Sequence, residues 1–82
     1  MSAQAHLFAA GRRYRVKKDF IHEGLLVKAG EVLVFIRDYY DFHDESSVYE
    51  FRSEADAGTR WWSLYDTDPV DSWRQSFEPL DA

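Results

Sequence analysis

The feature that most constrains the fold is the longest unbroken apolar run in the chain, Val32 to Ile36, which lies between Glu31 and Arg37. Four of its five residues are β-branched or aromatic, and such side chains favour a pleated strand over a helix. Both faces of this strand would be apolar, whereas a strand with one face in water alternates apolar and polar residues. We therefore predict a central strand that other elements cover on both faces.

A short strand and a tight turn are predicted directly before the central strand. Leu25 to Val27 forms the strand, and the turn follows at Lys28-Ala29-Gly30-Glu31. Gly30 suits a turn position with positive φ, which glycine adopts without steric cost. The segment from Ile21 to Gly24 is expected to be a loop.

Three other segments alternate between apolar and polar residues or otherwise carry a strand signal. They are Tyr14 to Phe20, Val48 to Arg52 and Trp61 to Tyr65. In the last of these, alternation places Trp61, Ser63 and Tyr65 on one face of the strand and Trp62 and Leu64 on the other.

The C-terminal part carries helix signals over residues 68–77. Asp68 is a candidate N-cap, and Pro69 follows at the first helical position. Apolar residues at helical spacing form one stripe: Val70, Trp73 and Phe77. We expect this stripe to cover the second face of the central strand.

Length and composition indicate one domain over residues 1–82, with residues 1–11 as a loose N-terminal arm that includes one turn of helix. The chain has no cysteine, so its core depends on side-chain packing, for which six Phe, five Tyr and three Trp are available. The first ten residues lack the basic region of a signal peptide, and no segment is long enough to span a bilayer. We expect a cytoplasmic protein without a membrane partner.

The net charge of −5 is unevenly distributed along the chain. Residues 1–20 carry a net charge of +4, and residues 38–82 carry −9. In one interpretation, opposite charges on neighbouring strands neutralise each other. In the other, an acidic face meets a basic partner.

The order of elements resembles an SH3-like small barrel over Tyr14 to Tyr65. The pattern L-L-V-K-A-G-E-V-L-V-F from Leu25 to Phe35 carries this resemblance. It implies a mainly all-β fold: a partly open barrel of about five strands, here with a short C-terminal helix. Peptide-binding SH3 domains have a Trp doublet one strand earlier than Trp61-Trp62, so polyproline binding is not implied. The layout Y-R-V…G-E…F…W…F-E-P-L also resembles small bacterial domains of unknown function.

The aromatic doublets Tyr39-Tyr40 and Trp61-Trp62 bear most directly on function. Successive side chains of a strand point to opposite faces, so one member of each pair faces outward unless another element covers it. Two interpretations remain open: the helix and the residues Leu7 and Phe8 provide the cover, or an aromatic patch with acidic neighbours is exposed. The predicted partner-binding residues are Tyr39, Tyr40, Asp41, Phe42, His43, Asp44 and Trp62.

The favoured function is a non-catalytic protein-interaction module, one form of which is an acidic inhibitor or immunity-type protein that blocks a basic site. We expect no catalytic residues, metal or cofactor. The alternative is a small enzyme or a ligand- or metal-binding domain that uses His43 and nearby carboxylates. A nucleic-acid-binding barrel that uses Arg12 to Lys18 is less favoured, because the acidic remainder of the chain would repel phosphate.

Overall fold

The computed structural model describes residues 6–80, which form seven β-strands and one 3₁₀ helix. The strands are β1 (Arg13–Val16), β2 (Phe20–His22), β3 (Leu25–Val27), β4 (Val32–Asp41), β5 (Ser46–Ser53), β6 (Thr59–Tyr65) and β7 (Phe77–Pro79); the 3₁₀ helix spans Val70–Gln75. The predicted all-β class is confirmed. No helix of residues 6–80 has the length and apolar character needed to cross a membrane.

Five strands form one antiparallel sheet in the order β6-β5-β4-β1-β7, and β2 and β3 form a second sheet. The predicted central strand is therefore confirmed as β4, which pairs with β1 on one side and β5 on the other. The predicted turn before it is also present. Gly30 has φ +95°, and the Lys28 N–H donates to the Glu31 carboxylate at 2.7 Å.

Only one face of β4 is buried along the apolar run. Leu33 and Phe35 are buried in the core, whereas Val32 and Val34 on the other face are half-buried and Ile36 is 40% exposed. The prediction of cover on both faces is therefore wrong. The 3₁₀ helix instead packs on the core side, where Trp73 is buried.

The predicted C-terminal helix over residues 68–77 is also corrected. The helical part is a 3₁₀ helix, Phe77 begins β7 opposite Val16, and Val70 is 58% exposed. Asp68 does not cap the helix, because its carboxylate accepts the backbone N–H of Tyr65 at 3.0 Å. Antiparallel pairing with β1 satisfies the backbone of residues 77–79 and so competes with continuation of the helix.

The segment predicted as a loop before β3 is half of a β-hairpin. Ile21 pairs with Leu26, and a two-residue turn at Glu23-Gly24 joins the strands. Both turn residues have positive φ, +49° and +82°, as the favoured hairpin turn with matching strand twist requires. Glycine adopts this conformation readily, but glutamate rarely does, which is why the sequence pattern pointed to a loop.

The N-terminal arm was predicted to be loose, and its described part is not. Residues 1–5 lie outside the described residues, but Phe8 is only 7% exposed and lies in the core. The Ala9 N–H donates to the Tyr14 hydroxyl at 2.9 Å, and the Gly11 N–H donates to the Phe35 carbonyl at 2.8 Å. Residues 6–11 contain no helical turn. This segment is therefore an integral part of the fold.

Phe8 occupies the centre of an aromatic core. Its ring centroid lies 5.0–6.2 Å from those of Tyr14, Phe35, Tyr49, Phe51, Trp62, Trp73 and Phe77. Most of these pairs are edge-to-face, the arrangement that brings the positive ring edge onto the negative ring face.

We expect Phe8→Ala to lower the free energy of unfolding by about 3–5 kcal/mol, because it removes a buried ring and leaves a cavity among rigid neighbours. Urea denaturation checks this. Phe42→Ala is the matched control: Phe42 is 85% exposed, and its loss should change stability by less than about 0.5 kcal/mol. Equal stabilities of the two variants would contradict the central role of Phe8.

Burial raises the pKa of Tyr49 from 10.0 to about 12. A hydrogen bond with Ser47 opposes this rise in the pKa, and the negative charge of Asp38 adds to it. Below about pH 10 this tyrosine is protonated in both the folded and the unfolded chain, so its ionisation does not lower the free energy of unfolding. Between about pH 10 and pH 12 it ionises only in the unfolded chain, so we expect roughly 2 kcal/mol to be lost across this interval. Denaturation of the wild type and of Tyr49→Phe at a series of pH values measures the effect. Parallel stability profiles for the two proteins would show that Tyr49 is not held protonated.

Candidate functional site

A groove of about 280 Å³ lies between the β2–β3 hairpin and the face of β4–β5–β6 that points away from the core. We call this face the outer face. Aromatic side chains line the groove at Tyr39, Trp61 and Tyr65, and carboxylates line it at Glu23, Asp41 and Asp44.

Strand register creates the concave shape of the groove. Tyr39 on β4 is opposite Val48 on β5, which is opposite Ser63 on β6. In the next row, Asp41, Ser46 and Tyr65 are opposite one another in the same way. The floor therefore consists of small side chains, while larger ones stand at its margins. Ser46 and Val48 are almost fully buried although they lie outside the main core.

A β-bulge in β4 aims Tyr39 into the groove. Phe35 pairs with Phe51 and Arg37 pairs with Glu50, so Ile36 is an extra residue on β4. An extra residue reverses the alternation of faces beyond it. Without the bulge, Tyr39 would share the core face of Phe35.

The hairpin is attached to the outer face through His22. Its Nε2 lies 2.9 Å from the Ser63 hydroxyl oxygen in a hydrogen bond, and its ring stacks on Trp61 with an interplanar angle of 27°. The Nδ1 atom of His22 is buried and has no hydrogen-bond partner among residues 6–80. These contacts hold one wall of the groove against its floor.

The carboxylates give the groove a negative potential. Asp41 Oδ1 accepts the backbone N–H groups of His43 at 2.9 Å and Asp44 at 3.3 Å, which fixes the turn between β4 and β5. Asp44 and Glu23 are exposed. Among the described residues, no lysine or arginine lines the groove.

The structure brings together only part of the predicted site. Tyr39, Asp41 and Asp44 line the groove. Four predicted residues lie outside it, one of which is Trp62. Of the other three, Tyr40 donates its hydroxyl to Asp66 at 2.5 Å, Phe42 packs edge-to-face on Tyr40, and His43 is exposed on the turn.

Trp62 requires a correction, because it is the core-side member of its doublet. Its ring centroid lies 5.7 Å from that of Tyr49 and 5.4 Å from that of Phe77. The groove is lined instead by Trp61, together with Tyr65, His22 and Glu23, which were not among the predicted site residues. The alternation in β6 grouped Trp61, Ser63 and Tyr65 on one face, so that signal was present in the sequence.

The geometry gives little support to the two alternative sites, the one at His43 and the one for nucleic acid. Within residues 6–80, no group of three or more His, Cys, Asp or Glu side chains is arranged to hold a metal ion, and His43 belongs to no such cluster. Three cations of the basic strip, Arg12 to Lys18, contact acidic or carbonyl groups: Arg13 contacts Glu54 at 2.8 Å, Arg15 contacts Glu78 at 3.7 Å, and Lys17 donates to the carbonyl of Arg74 at 2.8 Å. Ion pairs with neighbouring elements therefore neutralise Arg13 and Arg15 within this strip.

A second charged cluster has a structural role away from the groove. Arg60 bonds the carboxylates of Asp56 at 2.9 Å and Glu31 at 3.3 Å, and thereby links the turn before β4 to the turn before β6. The backbone N–H of Gly58 and then the guanidinium of Arg60 lower the pKa of Asp56.

Comparison with solved structures finds the same fold in an integron cassette protein from the mobile metagenome of Vibrio cholerae. The two chains are 17% identical, with a TM-score of 0.67 over 87% of this chain and 83% of that one. At this identity the likeness concerns the fold alone, and it agrees with the predicted resemblance to small bacterial domains. No family model and no curated protein matches the chain.

We expect Ser63→Ala to loosen the attachment of the hairpin to the outer face, because it removes the hydrogen bond to His22 and leaves only the stacking on Trp61 at this residue. The free energy of unfolding should fall by about 1 kcal/mol, and amide hydrogen exchange should accelerate in residues 20–27. Ser72→Ala, in the 3₁₀ helix, is the control and should leave hairpin exchange unchanged. Unaltered exchange in Ser63→Ala would contradict the anchoring role.

Proposed function

We propose that this protein is a non-catalytic protein-interaction module that binds a basic segment of a partner through the groove. The observation that carries the proposal is a concave surface with three aromatic side chains and three carboxylates, and no lysine or arginine among its described lining residues.

The aromatic side chains are suited to supply affinity. Tyr39 is 44% exposed and Tyr65 is 50% exposed, although both are large and partly apolar. A tyrosine offers a large contact area and has few rotatable bonds to immobilise, so such residues often dominate interfaces. Their attachment to paired strands also means that little backbone ordering is needed on binding.

The carboxylates are suited to supply selectivity. Asp44 and Glu23 lie at the two sides of the groove, one on the β4–β5 turn and the other at the tip of the hairpin. Exposed charges of one sign mainly raise the association rate and favour a partner of opposite sign. An acidic inhibitor or immunity-type protein that covers a basic site is one form of this function.

An SH3-like arrangement fits the same proposal. Supporting it are the hairpin between β1 and β4, the Gly-Glu turn before β4, and the consecutive pairing of β4, β5 and β6. The groove lies beside the hairpin and the β4–β5 turn. Polyproline binding is not part of the proposal.

Capture of a whole small molecule is less favoured than capture of a side chain. The groove of about 280 Å³ falls just below the usual range for ligand pockets, about 300–1,000 Å³. A metal or acid–base role for His43 has no supporting cluster among residues 6–80.

The test is a titration with two Gly/Ser-based nonapeptides, one with three arginines and three lysines and the other with six glutamates. We expect the basic peptide to shift the backbone amide signals of the groove residues in NMR spectra and the acidic peptide to leave them unchanged. Affinity for the basic peptide should fall as salt is added, because the attraction is screened.

Variants then locate the site. Tyr39→Ala should weaken binding of the basic peptide by about tenfold or more through faster dissociation. Asp44→Lys should slow association and reduce its salt dependence. Phe42→Ala is the matched control, because Phe42 is an exposed aromatic residue outside the groove. Wild-type affinity in folded Tyr39→Ala, or no response to the basic peptide, would refute the proposal.

A further inference from the structure

We infer that the partner's basic segment also carries an aliphatic side chain, and that this side chain packs on Ile21 and Leu26 of the β2–β3 hairpin. We call the surface formed by these two residues the hairpin ridge. The inference rests on the proposed function and adds to it a second chemical feature of the partner.

The register of the hairpin places the two ridge residues on one face. Ile21 and Leu26 are direct cross-strand partners. Their neighbours Phe20, His22 and Val27 point to the opposite face, because successive side chains of a strand alternate. That opposite face contacts the core and the outer face of the sheet. Directly opposed residues have Cβ atoms about 4.5–5.5 Å apart, so the two ridge side chains form one continuous apolar surface.

The hairpin ridge is open to solvent. Ile21 is 70% exposed and Leu26 is 44% exposed. The solvent-facing side of an antiparallel pair is commonly polar, and here it is aliphatic. Single exposed aliphatic residues are ordinary, but two in a cross-strand pair form a patch of the kind that marks an interaction surface. Contact with an aliphatic side chain would remove this patch from water, which is favourable in proportion to the area covered.

The ridge continues into the groove, so one segment of a partner can reach both. Ile21 belongs to the ridge and also lines the groove. In the described part of the chain eight large hydrophobic residues are exposed, and five of them lie in the groove or on the hairpin. These five are Ile21, Leu25, Leu26, Tyr39 and Tyr65. Exposed apolar side chains therefore concentrate on this side of the molecule.

The groove is too small to hold a peptide segment by itself. Its volume is about 280 Å³, whereas a stable protein interface buries roughly 800 Å² on each partner. A segment whose cations enter the groove therefore extends over neighbouring surface. On the hairpin side this surface is Glu23 at the tip, followed by the ridge. A segment with both cations and an aliphatic side chain matches these two features.

Charge favours a basic partner over a second copy of this chain as the occupant of the ridge. Each copy carries a net charge of −5 and has Glu23, Asp41 and Asp44 in the adjoining groove. Electrostatic repulsion therefore opposes the approach of two copies, whereas the same charges attract a basic segment.

The experiment uses three versions of the basic nonapeptide, with serine, leucine or asparagine at the central position and three cations on each side of it. Asparagine has nearly the size of leucine without its apolar surface. We expect the leucine peptide to bind at least about fivefold more tightly than the other two in NMR titrations. It should also shift the methyl signals of Leu26 more than they do, since Leu26 is not among the described lining residues of the groove.

Paired variants assign the contact to the ridge. Leu26→Thr introduces a residue suited to a strand and removes most of the aliphatic surface, so it should bring the affinities for the leucine and asparagine peptides to within about twofold. Val70→Thr is the matched control, because Val70 is 58% exposed but lies in the 3₁₀ helix, and it should keep the wild-type preference. Both sites are exposed, so both variants are expected to fold, and thermal melting verifies this.

The outcomes separate this inference from the function on which it rests. Equal binding of the three peptides to the wild type would overturn the aliphatic contact and leave the basic-segment function standing. A leucine preference that survives in Leu26→Thr, or that is lost equally in Val70→Thr, would overturn the assignment to the ridge. Dimerisation that Leu26→Thr abolishes, measured by sedimentation equilibrium, would assign the ridge to a second copy and overturn the inference. No response to any of the three peptides would refute the function as well.

Discussion

The packing of the Phe8 ring is the interaction on which the rest of the structure depends. The chain has no cysteine, so the packing of its core is not reinforced by any disulfide. Phe8 comes from outside the regular sheet, yet its ring touches β1, β4, β5, β6, the 3₁₀ helix and β7 through aromatic neighbours. β1, β7 and the 3₁₀ helix have six residues or fewer, and one shared ring couples their stabilities to those of the longer strands.

This arrangement of the core also explains why a groove exists on the opposite side. Phe8, Trp73 and Phe77 pack on the core face of the sheet, and residues 6–80 contain no further helix that could cover the outer face of β4–β5–β6. The hairpin covers part of it through His22, and the remainder is open. We expected the C-terminal helix to cover this outer face. The 3₁₀ helix packs on the core face instead, which leaves aromatic residues of the outer face in contact with solvent.

The strands were predictable from sequence because their signals are local. The apolar run in β4, the Gly-Glu turn before it and the alternation in β6 were each recognised correctly. The hairpin was missed because Glu23 adopts a backbone conformation that glutamate rarely takes. The length of the C-terminal helix was overestimated because the spacing of Val70, Trp73 and Phe77 is helical. The helix ends before Phe77 because Phe77 pairs with a strand some sixty residues earlier in the chain.

The candidate site was only partly predictable for a different reason. Which member of an aromatic doublet faces outward depends on parity along the strand, and one extra residue changes it. Alternation alone assigned Trp61 to a face correctly but could not say which face is the core. For Tyr39, the answer depends on the bulge at Ile36, which has no local signature in an apolar run.

The bulge gives β4 two independent halves. Before Ile36, the strand contributes Leu33 and Phe35 to the core; beyond it, the same strand contributes Tyr39 and Asp41 to the surface. The extra residue shifts the phase of the alternation, so residues of opposite parity face outward in the two halves. Pairing of Ile36 with Glu50 in place of Arg37 would remove the bulge and turn Tyr40, instead of Tyr39, to the outer face. Deletion of Ile36 would instead leave Arg37 paired with Glu50 and Tyr39 on the outer face, so the register of β4 against β5 decides which tyrosine meets solvent.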